Sequence, residues 1–322
     1  MISIIIEWDN VRLSEASRAI DMLQSLHTQA RQMDQPVEFL LMFNDQEIPV
    51  DTVEQIGRTY LAPQGGASHN TSYRLIPVSG ATYYELKNRG AQLAHGDILV
   101  FVDSDVLLED GWLENLIRPM EAKPDMQVIA GETYLAINNL MNKAFALHWF
   151  FPFRTTTSEL HPNGRYFFAN NVAFRRALFL AHPFPPVPPG MTRGSCAMLA
   201  RQLTAMGIAI WINTAAKAEH PAPNGWRHFF LRGLAQGRDW AMNTRAGQPA
   251  GPWRLSFRAL SMLLTRLRRI AKATWRKGDQ VQLPAWQYPL AVAIMWAYAI
   301  AMFLGAVMTA FRPESAQQAW QL

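Results

Sequence analysis

The sequence predicts an α/β fold, a mostly parallel sheet with helices on both faces. Three observations carry this. Over the opening 130 residues, short apolar runs alternate with helix-period patterns, as in sheets whose strands are joined by crossover helices. The run Ile98-Leu99-Val100-Phe101-Val102 is apolar at every position, as expected of a strand covered on both faces. Asp103 and Asp105 follow it directly, at the strand end where open α/β sheets bind their ligands. Two like charges held together there call for a positive partner, and a divalent metal is the obvious candidate.

The elements follow in order. Ser3 to Ile6 reads as a strand, Glu15 to Ala30 as a helix, and Val37 to Phe43 as a strand ending at Asn44-Asp45. Val53 to Tyr60 is a further element, followed by a Gly/Ser/Asn loop from Gln64 to Ser72 and a strand near Arg74 to Val78. Ala81 to Ala94 is a helix, Ile98 to Val102 the buried strand, and Gly111 to Glu121 a helix capped by Asp110, since a short acidic side chain satisfies free N–H groups at a helix start. From Val128 the pattern becomes irregular. The aromatic run Asn142 to Phe153 is expected to pack against the sheet, and the proline-rich His182 to Gly190 to form a surface loop. Neither a dinucleotide fingerprint nor a P-loop is present, so dehydrogenase and ATPase readings lack support.

Composition bounds the rest. The chain has 322 residues, a formal net charge of +5 and a single cysteine, Cys196; one cysteine forms no internal disulfide and no cysteine-based metal site. The opening residues lack the basic flank and long apolar run of a signal peptide, which implies a catalytic part on the cytoplasmic side. Leu290 to Phe311 is 22 residues without a charge, enough at about 1.5 Å per residue to cross a hydrocarbon core of about 30 Å. It is expected to be a single-pass transmembrane helix. Met242 to Gly278 holds nine Lys or Arg and no acid. Trp253, Phe257, Leu260, Leu264, Leu267 and Ala271 recur there at steps of three and four, the pattern of an amphipathic helix on an anionic membrane rather than of a nucleic-acid binder. Expected domains are therefore 1–240 (catalytic), 241–283 (basic interfacial helix) and 284–322 (span and short tail).

The stretch "LKNRGAQLAHGDILVFVDSD", Leu86 to Asp105, resembles the family 2 glycosyltransferases, whose pattern runs Arg-Asn-x-Gly, a helix, Gly-Asp, a strand and Asp-x-Asp. Other pieces match in order between Ser3 and His220: "SIIIEWDN", "FLLMFND", "RYFFANNVAFRRALF" and "AMGIAIWINTAAKAEH". The resemblance implies a GT-A fold and an inverting, metal-dependent transfer of a sugar from a UDP- or GDP-sugar. It implies donor contacts from Asn10, Asp45, Asn88 and Asp103, and Mg²⁺ or Mn²⁺ held by Asp103, Asp105 and His220. Acceptor contacts would come from Asn170, Asn171, Arg193 and Arg201. Hard oxygen donors suit either ion, and a departing diphosphate needs its developing charge neutralised.

The family's general base is usually a Glu-Asp pair that starts seven residues before an arginine. Here that arginine is Arg201, and the pair's place is taken by Gly194-Ser195, neither of which can accept a proton from a sugar hydroxyl. Three readings remain open. Glu132 supplies the base; or the acceptor is already an anion, such as a polyprenyl phosphate gripped by arginines; or the chain is a non-catalytic membrane-bound scaffold that binds nucleotide sugar. The acceptor is thus lipid-linked or a growing glycan.

Overall fold

The computed structural model describes residues 1–12, 15–62, 70–187, 191, 193–247 and 251–318. Most of the expected loop at 64–72 and residues 188–190 of the proline-rich segment lie outside the described residues. The chain divides into two units, the first comprising Met1–Tyr134, Arg154–Pro186 and Ser195–His220, the second Leu135–Phe153, Val187–Gly194 and Pro221–Leu322.

The chain begins with β1 (Ile2–Glu7), α1 (Ala16–Arg31), β2 (Val37–Phe43), α2 (Val50–Tyr60), β3 (Thr71–Pro77), α3 (Tyr83–Leu93) and β4 (Ile98–Asp103). Then follow β5 (Leu107–Leu108), α4 (Trp112–Ala122), β6 (Val128–Leu135), α5 (Leu140–His148), β7 (Leu160–Gly164), β8 (Asn171–Arg175), α6 (Arg176–Ala181), α7 (Ser195–Ala205) and β9 (Ile210–His220). The sheet runs β3-β2-β1-β4-β8-β6-β9-β5, with β7 against β9. The first four strands of that order are parallel, while β8 is antiparallel to both β4 and β6. The carboxyl ends of β3, β2, β1 and β4 therefore share one edge, with Glu7 in register with both Met42 and Asp103.

Strand alternation explains the two-sided core. Ile2, Ile4 and Ile6 point to one face, where they join Met22, Leu26 and Trp112; Ile5 points to the other, with Leu40, Phe101 and Leu86. Both faces of each central strand are thus apolar, as the uninterrupted run 98–102 predicts. Gly90 lets α3 press onto the sheet, because a Cβ there would stand 2.6 Å from Ile5 Cγ2. Thr82 and Glu85 cap α3 reciprocally, the Thr82 amide and hydroxyl both donating to Glu85 Oε2 at 2.8 and 2.7 Å, a capping box. The expected Asp110 cap is a correction. Gly111, with φ of +75°, is the N-cap of α4, and its left-handed turn leaves Asp110 outside the helix.

The second unit is helical. It contains α5, α8 (Gly225–Gly247), α9 (Pro252–Lys277), α10 (Tyr288–Phe311) and α11 (Pro313–Gln318). α8 and α10 approach closely through glycine. A Cβ on Gly237 would stand 1.9 Å from Met302 O, one on Gly305 2.1 Å from Leu234 O, and one on Gly233 2.8 Å from Ala301 Cβ. Small residues at four-residue spacing permit this backbone contact. Pro221 to Trp240 groups with the C-terminal helices in the second unit. The aromatic run also differs from its expected place against the sheet. Phe145 and Trp149 pack on Tyr298, ring centroids 5.1 and 5.9 Å apart, and Phe229 closes the cluster at 5.3 Å. Ala285–Phe311 is long and apolar enough to cross a membrane, with a mean hydropathy of 2.2 over its most apolar stretch, 44% of which is buried in the protein.

Candidate active site

The shared edge of β1, β2 and β4 collects the first unit's polar groups. Asp103 ends β4 and is buried, its carboxylate accepting from Lys87 Nζ at 2.6 Å and from Tyr83 Oη at 2.9 and 3.0 Å. Lys87 is itself fully buried and also donates to Val102 O at 3.2 Å. An unpaired ammonium there would be costly, and the ion pair with further hydrogen bonds is what makes its burial tolerable. The same carboxylate holds the Tyr83 hydroxyl in its protonated form, since burial and the Asp103 charge both push that phenol well above its ordinary range.

Behind this pair lies Glu7, fully buried. Its Oε1 accepts from Asn10 N at 3.2 Å, whereas Oε2 is buried without a hydrogen-bond partner. Burial, then the Asp103 charge, raises the Glu7 carboxyl well above the usual carboxylate range, against the opposing pull of Lys87. A neutral Glu7 removes one of three crowded negative charges.

Asp105 follows one residue after Ser104, whose amide is fixed by Glu7 O at 2.9 Å. Arg18 holds the Asp105 corner against the end of β9. Its Nε donates to Asp105 O at 2.6 Å, and its two terminal nitrogens to Glu219 O at 2.8 Å and Glu219 Oε1 at 3.0 Å. β5 pairs with β9 through Leu107 and Glu219, so half-buried His220 lies one residue beyond that pair and at the Asp105 corner. Arg18 thus joins the Asp105 and Glu219 backbones, while Asp103 is turned to Lys87 and Tyr83. Among the described residues no group of three or more His, Cys, Asp or Glu could by itself hold a metal ion.

The remaining expected residues separate into those at the edge and those inside the fold. Asn10 sits in a 3₁₀ turn after β1. Asp45 follows β2, accepting from Ser79 Oγ at 3.1 Å with Oδ1 buried and unpartnered. Asn44 turns inward and accepts from Gly80 N at 2.9 Å. Asn88 is engaged at both ends by the Phe184 backbone, donating to O at 2.9 Å and accepting from N at 3.0 Å. Fully buried Asn171 donates to Glu132 O and Ala216 O at 3.1 Å and accepts from Trp112 Nε1 at 2.8 Å. These contacts tie β6, β8 and β9 together. Asn170 accepts from Thr133 Oγ1 at 3.2 Å. Both Glu132 oxygens are taken by Thr155, from its amide at 2.8 Å and its hydroxyl at 2.6 Å. Ser195 opens α7, its hydroxyl donating to Pro185 O at 2.7 Å. Arg201 is exposed on α7, and Arg193 is exposed in the second unit.

Sequence reasoning passed over Glu7, Lys87, Tyr83 and Arg18. Lys87 had a signal, since it stands where the family pattern carries arginine. Glu7 had one too, an acid directly ending an isoleucine strand.

An α/β sheet with carboxylates at the carboxyl edge of its parallel half places them where such folds bind their ligands. Residues 83–181 match the family model described as Glycosyl transferase family 2. That match covers 99 of the 322 residues, and the fold is of the GT-A type. The mannosyltransferase PcManGT from Pyrobaculum calidifontis, solved with GDP-Man and Mn²⁺, is similar in fold at 14% identity and a TM-score of 0.54 over 97% of this chain and 87% of that one. TarS residues 1–349 from S. aureus, with UDP-GlcNAc, align at 12% identity and a TM-score of 0.49 over 95% and 90%. GalNAc-T7 with UDP, GalNAc and Mn²⁺ aligns at 12% identity and 0.49 over 70% of this chain, which spans 43% of that protein. No curated protein sequence matches the chain.

Proposed function

We propose that the chain is an inverting glycosyltransferase, moving a sugar from a nucleotide donor to a membrane-associated acceptor, a polyprenyl phosphate or a growing glycan. The observation that carries it is the Asp103-Ser104-Asp105 turn at the carboxyl edge of β4, within the segment that matches the family. PcManGT, of the same fold, holds GDP-Man and Mn²⁺, which supports a nucleotide-sugar donor and a divalent metal here.

Asn10 and Asp45 flank the edge where a base and ribose would lie, and Asp45 Oδ1 is a buried acceptor still to be satisfied. Asp103, fixed by Lys87 and Tyr83, presents a rigid acceptor toward the ribose. Asp105 and His220 would hold Mg²⁺ or Mn²⁺. Two protein donors fit an ion that completes its shell with donor phosphates, and when bound it offsets the charge of the departing diphosphate. The absence of a carboxylate at Gly194-Ser195, and the engagement of Glu132 by Thr155, favour an acceptor that is already an anion. A phosphate oxygen needs no base to attack.

The test is donor binding by calorimetry with UDP- and GDP-sugars, with and without Mn²⁺. Metal-dependent binding that falls by on the order of a hundredfold in Asp105→Ala supports the reading. Binding indifferent to both metal and Asp105 contradicts it. Metal-dependent binding without turnover under any acceptor favours the scaffold.

A further inference from the structure

α9 runs antiparallel to α10 along almost its entire length. The Trp275 ring meets that of Tyr288 at 5.4 Å, Trp296 Nε1 donates to Leu267 O at 3.1 Å, and the Trp253 ring meets that of Phe311 at 5.1 Å. Helices joined side by side share depth, residue for residue. α9 carries cations from end to end, Arg254 to Lys277, and exposed Arg268 and Arg269 directly follow Leu267, level with Trp296. If α10 crossed a bilayer, these guanidiniums would enter hydrocarbon, each disfavoured roughly a hundredfold near a helix centre. α8 adds to this. Gly237 abuts Met302, and the next residue, buried Arg238, pairs with Asp239 at 3.1 Å.

The exposed side chains fit a different placement. Trp253, Phe257 and Leu264 form one apolar stripe on α9 and Ile300, Leu304 and Met308 another on α10, all at least 46% exposed. The two stripes adjoin at the Trp253–Phe311 contact. At 100° per residue, Arg254, Arg268, Lys272 and Arg276 fall on one flank of the α9 stripe. The second unit holds fifteen Lys or Arg against three Asp or Glu.

We propose that α9 and α10 lie together in the plane of one leaflet of an anionic membrane, apolar stripes in the acyl boundary and α9 cations among lipid phosphates, neither helix crossing; this rests on the membrane reading above. Aromatic and leucine side chains with a basic flank are what an interfacial helix requires. Both ends of α10 then lie on the same side.

The experiment uses the full chain with Cys196→Ala and single cysteines at the two ends of α10, Trp286→Cys and Arg312→Cys. Sealed inside-out and right-side-out membrane vesicles from expressing cells are treated with an impermeant maleimide. Both cysteines are expected to label in the same vesicle preparation and neither in the other; labelling from opposite sides establishes a span and overturns the proposal. The same chain, sedimented with phosphatidylcholine vesicles with and without phosphatidylserine, is expected to bind the anionic ones at least about tenfold better. Phe257→Glu, at a 70% exposed position, lowers that binding about tenfold without moving the melting temperature. A chain that binds neither vesicle and leaves the cell membranes overturns the membrane reading itself, a result distinct from a span.

Discussion

Lys87 reaches Asp103 at 2.6 Å from a position with no exposure to solvent, so the pair behaves as one unit. Lys87→Met leaves Asp103 buried without its counter-charge and is expected to cost about 3–5 kcal/mol, read by urea denaturation; a variant as stable as the parent would contradict the pair's structural role. Histidine burial sets a pH dependence. Burial holds the His148 imidazole at about 4, and burial, then Arg232 and Arg193, holds His228 at about 4. Both are depressed from an ordinary 6.5, so the folded state binds fewer protons than the unfolded chain between those values. Stability is therefore full above about pH 6.5 and falls as pH drops toward 4. His148→Gln should flatten part of that fall in melting temperature, and an unchanged slope would rule out His148 as a source. At this scale the placement of Asp103 at the end of β4 was legible, because an acid ending an apolar run marks the carboxyl edge of a strand. Glu7 and Lys87 were not, since their roles depend on β1 and β4 lying in register and on α3 crossing that sheet. Asn88 and Asn171 show the converse. A polar residue in a family motif reads as a ligand contact, yet both satisfy backbone groups inside the fold.

Among elements, β1 to β4 and helices α1, α3 and α4 were legible to within a few residues, because short apolar runs between helix-period patterns admit one reading; α2 was read only as an element, and the sequence beyond Val128 broke that alternation. α8 was not. Its sequence mixes glycine, arginine and aromatic residues, and its face is defined by α10, some 70 residues later. The glycines record that contact. Gly237→Ala is expected to destabilise the chain by about 1–3 kcal/mol, since the added methyl meets Met302 O. Gly247→Ala, where nothing lies within 4 Å, should cost nothing and serves as the control. Equal stability of the two variants in chemical denaturation would show that α8 and α10 do not meet through glycine.

Across the whole molecule, the net charge of +5 conceals a division. The first unit carries fifteen Lys or Arg against twenty-two Asp or Glu, the second fifteen against three. The basic excess of Met242 to Gly278 was legible; its full extent was not, because Lys143 and Arg193 join the second unit from segments 135–153 and 187–194. Attachment to anionic vesicles should therefore weaken with salt more steeply than the small net charge suggests, readable as the dependence of vesicle binding on NaCl. Donor binding at the β-sheet edge should be much less sensitive. The central claim concerns that edge. It is tested most directly by release of nucleoside diphosphate from UDP- and GDP-sugars by the full-length protein in nanodiscs with Mn²⁺, with and without a polyprenyl phosphate, beside Asp105→Ala. Turnover that requires the lipid phosphate and falls by at least about a hundredfold in the variant is the expected result; turnover that persists unchanged in Asp105→Ala would contradict it.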